Sequence, residues 1–302
     1  MSFIAQDVKD LREKTGCGMM ECKRALLESN GNIELAIDIL RKKGLAAANK
    51  KSSRVASEGL AMSYVNLENN IGVAIEVNSE TDFVSGNSEF KSFVELCSEI
   101  IMKNDLKTVE DLLKIKVQEK TIEDILKEKI MIIGENLIIR RFKKLEGIIS
   151  NYNHANGKIA VLLKFGVDSE KSKDEKFKTF SKDIAMQIAA AKPLYLNKDS
   201  VPDNIVFHEK EILKDQILSS GKPENIAEKI VSGKINKFFK EICLIEQVFV
   251  KDSSINVKEY LNLTSKKIAS EIQILEFVRF ERGEGIGKID SNFADEVSSL
   301  LK

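Results

Sequence analysis

The chain has 302 residues, 43% hydrophobic and 31% charged, which is enough apolar material for a buried core and for roughly two domains at ~150 residues each. Lys plus Arg and Asp plus Glu both number 47, so the formal net charge is zero. That balance argues against a general nucleic-acid binder, whose affinity would rest on an excess of cations facing phosphates. The opening residues lack a basic segment followed by an apolar run, so no signal peptide is expected. No stretch approaches the ~18 apolar residues of a membrane span, and a cytosolic protein is expected. The four cysteines, at 17, 22, 97 and 243, read as reduced thiols lying mostly in the core, because this is not a short cysteine-dense secreted chain.

The first ~45 residues predict three short helices. Val8 and Leu11 mark the first, which stops at Gly16-Cys17-Gly18. Met20, Ala25 and Leu26 form the apolar face of the second. Asn32 caps the third, in which Ile33, Ala36, Ile37 and Leu40 repeat at helical spacing before Gly44 ends it. Ala46 to Arg54 then reads as a polar, basic linker. From Gly59 the period becomes two. Leu60, Met62 and Tyr64 alternate, Glu68-Asn69-Asn70 turns, and Ile71, Val73, Ile75 and Val77 alternate again, a β-hairpin. A helix from about Ser88 buries Phe90, Phe93, Val94, Cys97 and Ile101. Thr108 and Thr121 each open a further helix with an acid three positions on, and a strand follows near Leu137 to Phe142.

The pattern then recurs. Ile148 to Tyr152, a turn at Asn156-Gly157 and the alternating Ile159, Val161, Leu163 and Phe165 predict a second hairpin, followed by a helix with Phe177, Phe180, Ile184 and Ile188. Ile272 to Arg282 reads as a closing strand. Its Arg279-Phe280 and Gly285 echo Arg141-Phe142 and Gly147 at equal spacing, which suggests duplication. Between Lys198 and about Lys240 the strand pattern gives way to two helices turned at Gly221-Lys222-Pro223. Their apolar positions Ile205, Ile212, Ile217, Ile226 and Ile230 are expected to pair with another subunit. A short terminal helix with Phe293, Val297, Leu300 and Leu301 on one side should dock. The expected class is α+β. It comprises a three-helix unit and linker (1–55), a first core half (56–146), a second half (147–197 and 241–285), an inserted hairpin (198–240) and a terminal module (286–302).

Catalytic constellations are scarce. His154 in a predicted turn and His208 in a helix have no second ligand at metal spacing and read as surface residues. The run Gly283-Glu284-Gly285-Ile286-Gly287-Lys288 fails the phosphate-loop pattern, which needs glycine at Arg282 and Ser or Thr at Ile289, and reads as a turn after a strand. No catalytic residue, cofactor or metal is assigned. The sequence points to a binding protein.

Two segments carry a resemblance. Leu11-Arg12-Glu13-Lys14-Thr15-Gly16-Cys17-Gly18-Met19-Met20-Glu21-Cys22-Lys23, with Asn30 to Ala36 after it, resembles the N-terminal signature of elongation factor Ts on a ubiquitin-associated-like three-helix domain. Glu76-Val77-Asn78-Ser79-Glu80-Thr81-Asp82-Phe83-Val84 resembles that family's second signature. Ile133 to Asn136, Arg140-Arg141, Ala189 to Pro193, Ser220 to Pro223 and Arg279-Phe280 match in order along the chain. The resemblance implies guanine-nucleotide exchange on elongation factor Tu in the cytoplasm. Thr81, Asp82, Phe83 and Val84 would dislocate Mg²⁺, with Phe83 as a wedge. Further contacts are implied for Lys23, Ile133, Gly134, His154 and the stretch Phe249-Val250-Lys251. Without the resemblance, Phe83 would be expected to fold back onto the core, as apolar side chains between a strand and a helix do. Ser85 departs from the family, where alanine often follows the valine. The rival is a non-enzymatic scaffold of another class. Neither nucleic acid nor membrane is expected as a partner, and a homodimer through the inserted hairpin is.

Overall fold

In the computed structural model, which describes residues 3–68, 70–219 and 223–287, the chain opens with α1 (Ala5–Thr15), α2 (Met19–Glu28) and α3 (Ile33–Lys51). Gly16 closes α1 at φ 67°, and the Asn32 side chain accepts the Leu35 N–H to cap α3. Val8, Leu11, Cys22, Ala25, Leu26, Ala36 and Leu40 form the small core. The structure corrects three expectations here. Met20 and Ile37 are exposed rather than core-facing. The third helix does not end at Gly44, and residues 46–51 continue it where a linker was expected. Gly44 serves close approach instead: a Cβ there would sit 3.2 Å from the Met131 sulfur of a later helix.

The first half comprises β1 (Glu58–Asn66), β2 (Ile71–Ser79), α4 (Ser88–Lys103), α5 (Val109–Lys114), β3 (Lys116–Val117), β4 (Lys120–Thr121), α6 (Ile122–Ile133) and β5 (Leu137–Glu146). Thr108 with Asp111 and Thr121 with Asp124 form the capping boxes expected of α5 and α6. An antiparallel sheet runs β1-β2-β5. The second half begins with β6 (Ile148–His154), β7 (Ile159–Gly166) and α7 (Glu175–Ala191). After it come α8 (Asp203–Ser219) and α9 (Glu224–Ile242), then β8 (Val248–Phe249), β9 (Asp252–Asn256), α10 (Val257–Ile268) and β10 (Gln273–Glu281). Its sheet runs β10-β7-β6. Helix α10 was not anticipated; Val257, Ile268 and half-buried Tyr260 place one face of it against the second core.

Alternation on the two central strands stacks the halves in four layers. Val73, Ile75 and Val77 of β2 face α4, while Ala74 meets Leu145, Ile149 and Leu162 between the sheets. Val161, Leu163 and Phe165 of β7 face α7 on the other side. Gly72 permits the contact, since a Cβ there would lie 2.6 Å from Ile149 and 2.7 Å from Leu162. Both halves share one topology, a hairpin whose second strand takes a returning third strand on its free edge. The Arg-Phe echo, however, is out of register. Ile71 pairs with Glu146 and Ile159 with Glu281, so Arg279 corresponds to Lys144 rather than to Arg141.

The inserted hairpin buries Leu213, Ile217 and Ile235, so part of its stripe is covered within the chain, contrary to expectation, while Phe207, Ile212 and Leu218 stay exposed. Its first helix starts at Asp203, after Pro202. The expected turn at 221–223 falls mostly outside the described residues, as does the expected terminal helix from Asp290.

All four cysteines are buried as thiols. Burial pushes Cys97 up to about 12 and Cys243 up to about 11, and raises Cys17. At neutral pH the thiolate that reacts is therefore scarce. Ellman's reagent should leave Cys97 and Cys243 untouched in the native protein and titrate all four thiols in denaturant. Cys17 and Cys22, in the smaller three-helix unit, should react first as denaturant rises. Rapid native labelling of Cys97 would contradict this packing.

Candidate functional site

The strongest candidate is the link between β2 and α4. Asn87 caps α4 by accepting the Glu89 and Phe90 N–H groups, which stops the chain from running straight from strand into helix. Residues Asp82–Gly86 form a 3-10 turn in the gap. Val84 points inward at 5% exposure, and Phe83 beside it is 87% exposed. The core-anchor expectation for Phe83 is therefore overturned: Val84 occupies the core position, and a tight turn sends successive side chains in different directions. An aromatic ring left this open is the informative kind of exposure.

Two supports flank the turn. The Thr81 N–H donates to Glu135 Oε2 at 2.9 Å and its hydroxyl to Glu135 Oε1 at 2.5 Å. Next to it, the Asn136 N–H donates to Glu80 at 2.6 Å and the Asn136 amide donates to the Arg54 carbonyl at 2.8 Å. At the other end Ser85 Oγ donates to the Asp82 carbonyl at 2.7 Å and accepts from Arg282 at 3.3 Å. Arg282 also donates to the Gly59 carbonyl at 3.1 Å and pairs with Glu58 at 2.7 Å. Gly283 lets the chain after this arginine approach Ser57, because at φ 70° a Cβ would come 2.1 Å from the Ser57 carbonyl oxygen.

Of the other predicted contacts, Ile133, Gly134 and His154 lie beside this turn, whereas Lys23, Val250 and Lys251 lie on other elements. Ile133 ends α6 half-buried against the first core, and exposed Gly134 caps that helix at φ 87° with its carbonyl accepting from Lys51. Gly134 precedes Glu135, so this pair adjoins the wedge turn. His154 is exposed at the end of β6, with Nδ1 bonded to the Tyr152 hydroxyl at 3.0 Å. The turn after it lines a groove of about 680 Å³ together with Asp82, Ser85 and Arg282. Lys23 is exposed on α2, whose bundle seats on α6 through α3 and through Gly16, where a Cβ would lie 3.1 Å from Ile132.

Val250 and Lys251 form a separate tip between β8 and β9. The Val250 N–H donates to Gln187 at 2.8 Å, and Lys251 Nζ lies 2.6 Å from Asp183. Asp183 also accepts the Tyr260 hydroxyl at 2.8 Å; burial and this carboxylate raise the tyrosine pKa. Val250 is half exposed, but Phe249 is not a surface contact as expected. It is buried, stacked on Tyr260 at 4.4 Å between ring centres. In the two-residue strand β8 side chains alternate, Val248 outward and Phe249 inward, and Val250 follows in the turn. Sequence reasoning gave no role to Glu135 or Arg282. Only the quoted Ile133–Asn136 match touched Glu135, and nothing local links it to Thr81, 54 positions away.

Among the described residues, no group of three or more His, Cys, Asp or Glu side chains could hold a metal ion, and no helix is long and apolar enough to cross a membrane. The family model described as Elongation factor TS matches residues 80–284. Elongation factor Ts of Clostridium kluyveri is 48% identical over 306 residues, covering 99% of each chain. The Clostridium acetobutylicum protein of that name is 48% identical over 99% of this chain and 98% of its own, and that of Clostridium novyi 48% over 98% of each. The chain belongs to the elongation factor Ts family, the guanine-nucleotide exchange factors of elongation factor Tu in translation elongation.

Proposed function

We propose that this chain binds elongation factor Tu carrying GDP in the cytoplasm and drives the nucleotide out by inserting Phe83, remaining bound until GTP enters. The observation that carries this is an aromatic ring 87% exposed on a turn pinned at both ends, directly beside a buried valine. Bound GDP is held through phosphate contacts and Mg²⁺ in the partner. A ring wedged between the elements that position that ion weakens the phosphate contacts without touching the base, and Asp82 supplies a polar contact beside it. Reciprocity then requires that GDP weaken the factor by the same amount. A thousandfold acceleration corresponds to about 4 kcal/mol of differential binding. Lys23, Ile133, Gly134, His154, Val250 and Lys251 extend the contact and supply affinity rather than displacement. The factor performs no covalent step and needs no cofactor, metal or nucleic acid of its own. Mixed with elongation factor Tu loaded with a fluorescent GDP analogue, it should accelerate release in proportion to its concentration and hydrolyse no GTP. Unchanged release at micromolar factor would refute the reading.

We further propose that the α8/α9 hairpin joins two copies through Phe207, Ile212 and Leu218, which the hairpin itself does not cover. Deleting 198–240 behind a short linker should give a folded, exchange-competent monomer. An intact chain that scatters light as a monomer at tens of micromolar would dismiss the dimer.

A further inference from the structure

An exposed ring can work as a wedge only if its direction is fixed before it meets the partner, because a swinging side chain must be ordered at the moment of insertion. Nothing packs around Phe83 to orient it, so the backbone of its turn has to. Buried Val84 fixes the depth of that turn, and Ser79 Oγ donates to the Thr81 carbonyl at 2.8 Å, but neither reaches the Thr81 hydroxyl or Ser85. We propose that Glu135 and Arg282 are positioning residues for nucleotide release, holding the Thr81 and Ser85 ends of the turn so that Phe83 leaves the surface in one direction.

Three observations carry this. First, Thr81 stands at the N-cap of the 3-10 turn yet makes no capping bond; its hydroxyl goes to Glu135, as does its N–H. A threonine there would ordinarily satisfy its own helix. Second, Glu135 sits between two pinned neighbours. Lys51 holds the Gly134 carbonyl, while Asn136 is tied to both Glu80 and Arg54. Third, Arg282 reaches the turn from the far half of the molecule and is itself fixed on β1 by Glu58 and the Gly59 carbonyl, so Ser85 leans on a rigid post. Neither residue needs to touch the partner for this role.

The proposal rests on the wedge reading of Phe83, and the test separates the two. The chain contains no tryptophan, so Phe83→Trp provides a single fluorophore at the tip. In the full-length Phe83→Trp protein, adding Glu135→Ala should lower the fluorescence anisotropy of the tip. In the natural background, Glu135→Ala should reduce the maximal GDP release rate about tenfold or more, with little change in the concentration giving half-maximal release. Glu135→Gln should restore most of both, because its amide oxygen can accept the Thr81 N–H while its NH₂ donates to the hydroxyl. Ser85→Ala removes the Arg282 tether together with the bond to the Asp82 carbonyl, and leaves the arginine's own bonds to β1 in place. It should act in the same direction, and the double variant more strongly. In the Phe83→Trp protein, anisotropy unchanged by both Glu135→Ala and Ser85→Ala overturns the clamp, as does a release defect matched by a lowered Tm and by no loss of anisotropy. Normal release by Phe83→Ala would instead remove the wedge, while the anisotropy still reports whether Glu135 orders the turn.

Discussion

Phe83→Ala should abolish most nucleotide release while leaving the fold nearly untouched. The ring is 87% exposed, so truncation removes little buried surface, and surface substitutions of this kind stay within ~0.5 kcal/mol of neutral. A central aromatic anchor at an interface is worth about 2–4 kcal/mol, so release should slow roughly 30- to 900-fold. Thermal unfolding of the free factor and the GDP release rate of its partner therefore separate the readings. Had Phe83 been a core residue, truncation would cost about 3–5 kcal/mol of stability. Asp82→Ala should slow release as well, by less, since an exposed carboxylate at the rim contributes less than a desolvated ring. Normal exchange with early unfolding would return Phe83 to a structural role.

Glu76→Ala should give the opposite pattern, a large loss of stability from a wholly buried residue. Its carboxylate lies wholly buried at the junction of the two sheets. Arg140 donates to it at 3.0 Å, Arg141 at 2.6 Å, the Gly283 N–H at 2.8 Å and the Asn78 amide at 3.1 Å. All four neighbours are donors, so only a carboxylate satisfies them together. Removing one side of such a cluster leaves charge and N–H groups unpaired and costs about 3–5 kcal/mol. Glu76→Gln keeps the size but turns an NH₂ toward donors, and should also destabilise. The urea midpoint of each variant checks this, and a midpoint equal to the natural protein's would show that the cluster is relieved by water. Because Gly283 adjoins Arg282, the same variants should loosen the support beneath Ser85 and lower release modestly.

Much of the fold is written locally. The hairpins β1/β2 and β6/β7 follow from period-two runs and their turns, and the capping boxes at Thr108 and Thr121 start α5 and α6 where local hydrogen bonding places them. The Thr81-Asp82-Phe83-Val84 signature marked the candidate turn by resemblance. Where the sequence misled, packing had decided. Gly44 looked like a helix stop because glycine is a common one, but Met131 had made it a point of close approach. Met20 and Ile37 have helical spacing yet lie outside, because a bundle this small has room for only one apolar stripe per helix. The direction of Phe83 depends on which of two adjacent apolar side chains reaches the core, and Val84 takes that place. Residue types, periodicity and turn chemistry determined most of the elements, and the resemblance of two signature segments pointed to the family. The stacking of the sheets, the burial of Glu76 and the bonds from Glu135 and Arg282 to one turn were decided only by tertiary structure. Glu135 lies 54 positions from Thr81, Arg282 lies 197 from Ser85 and Gly283 lies 207 from Glu76, and no local pattern encodes which side chains such distances bring together.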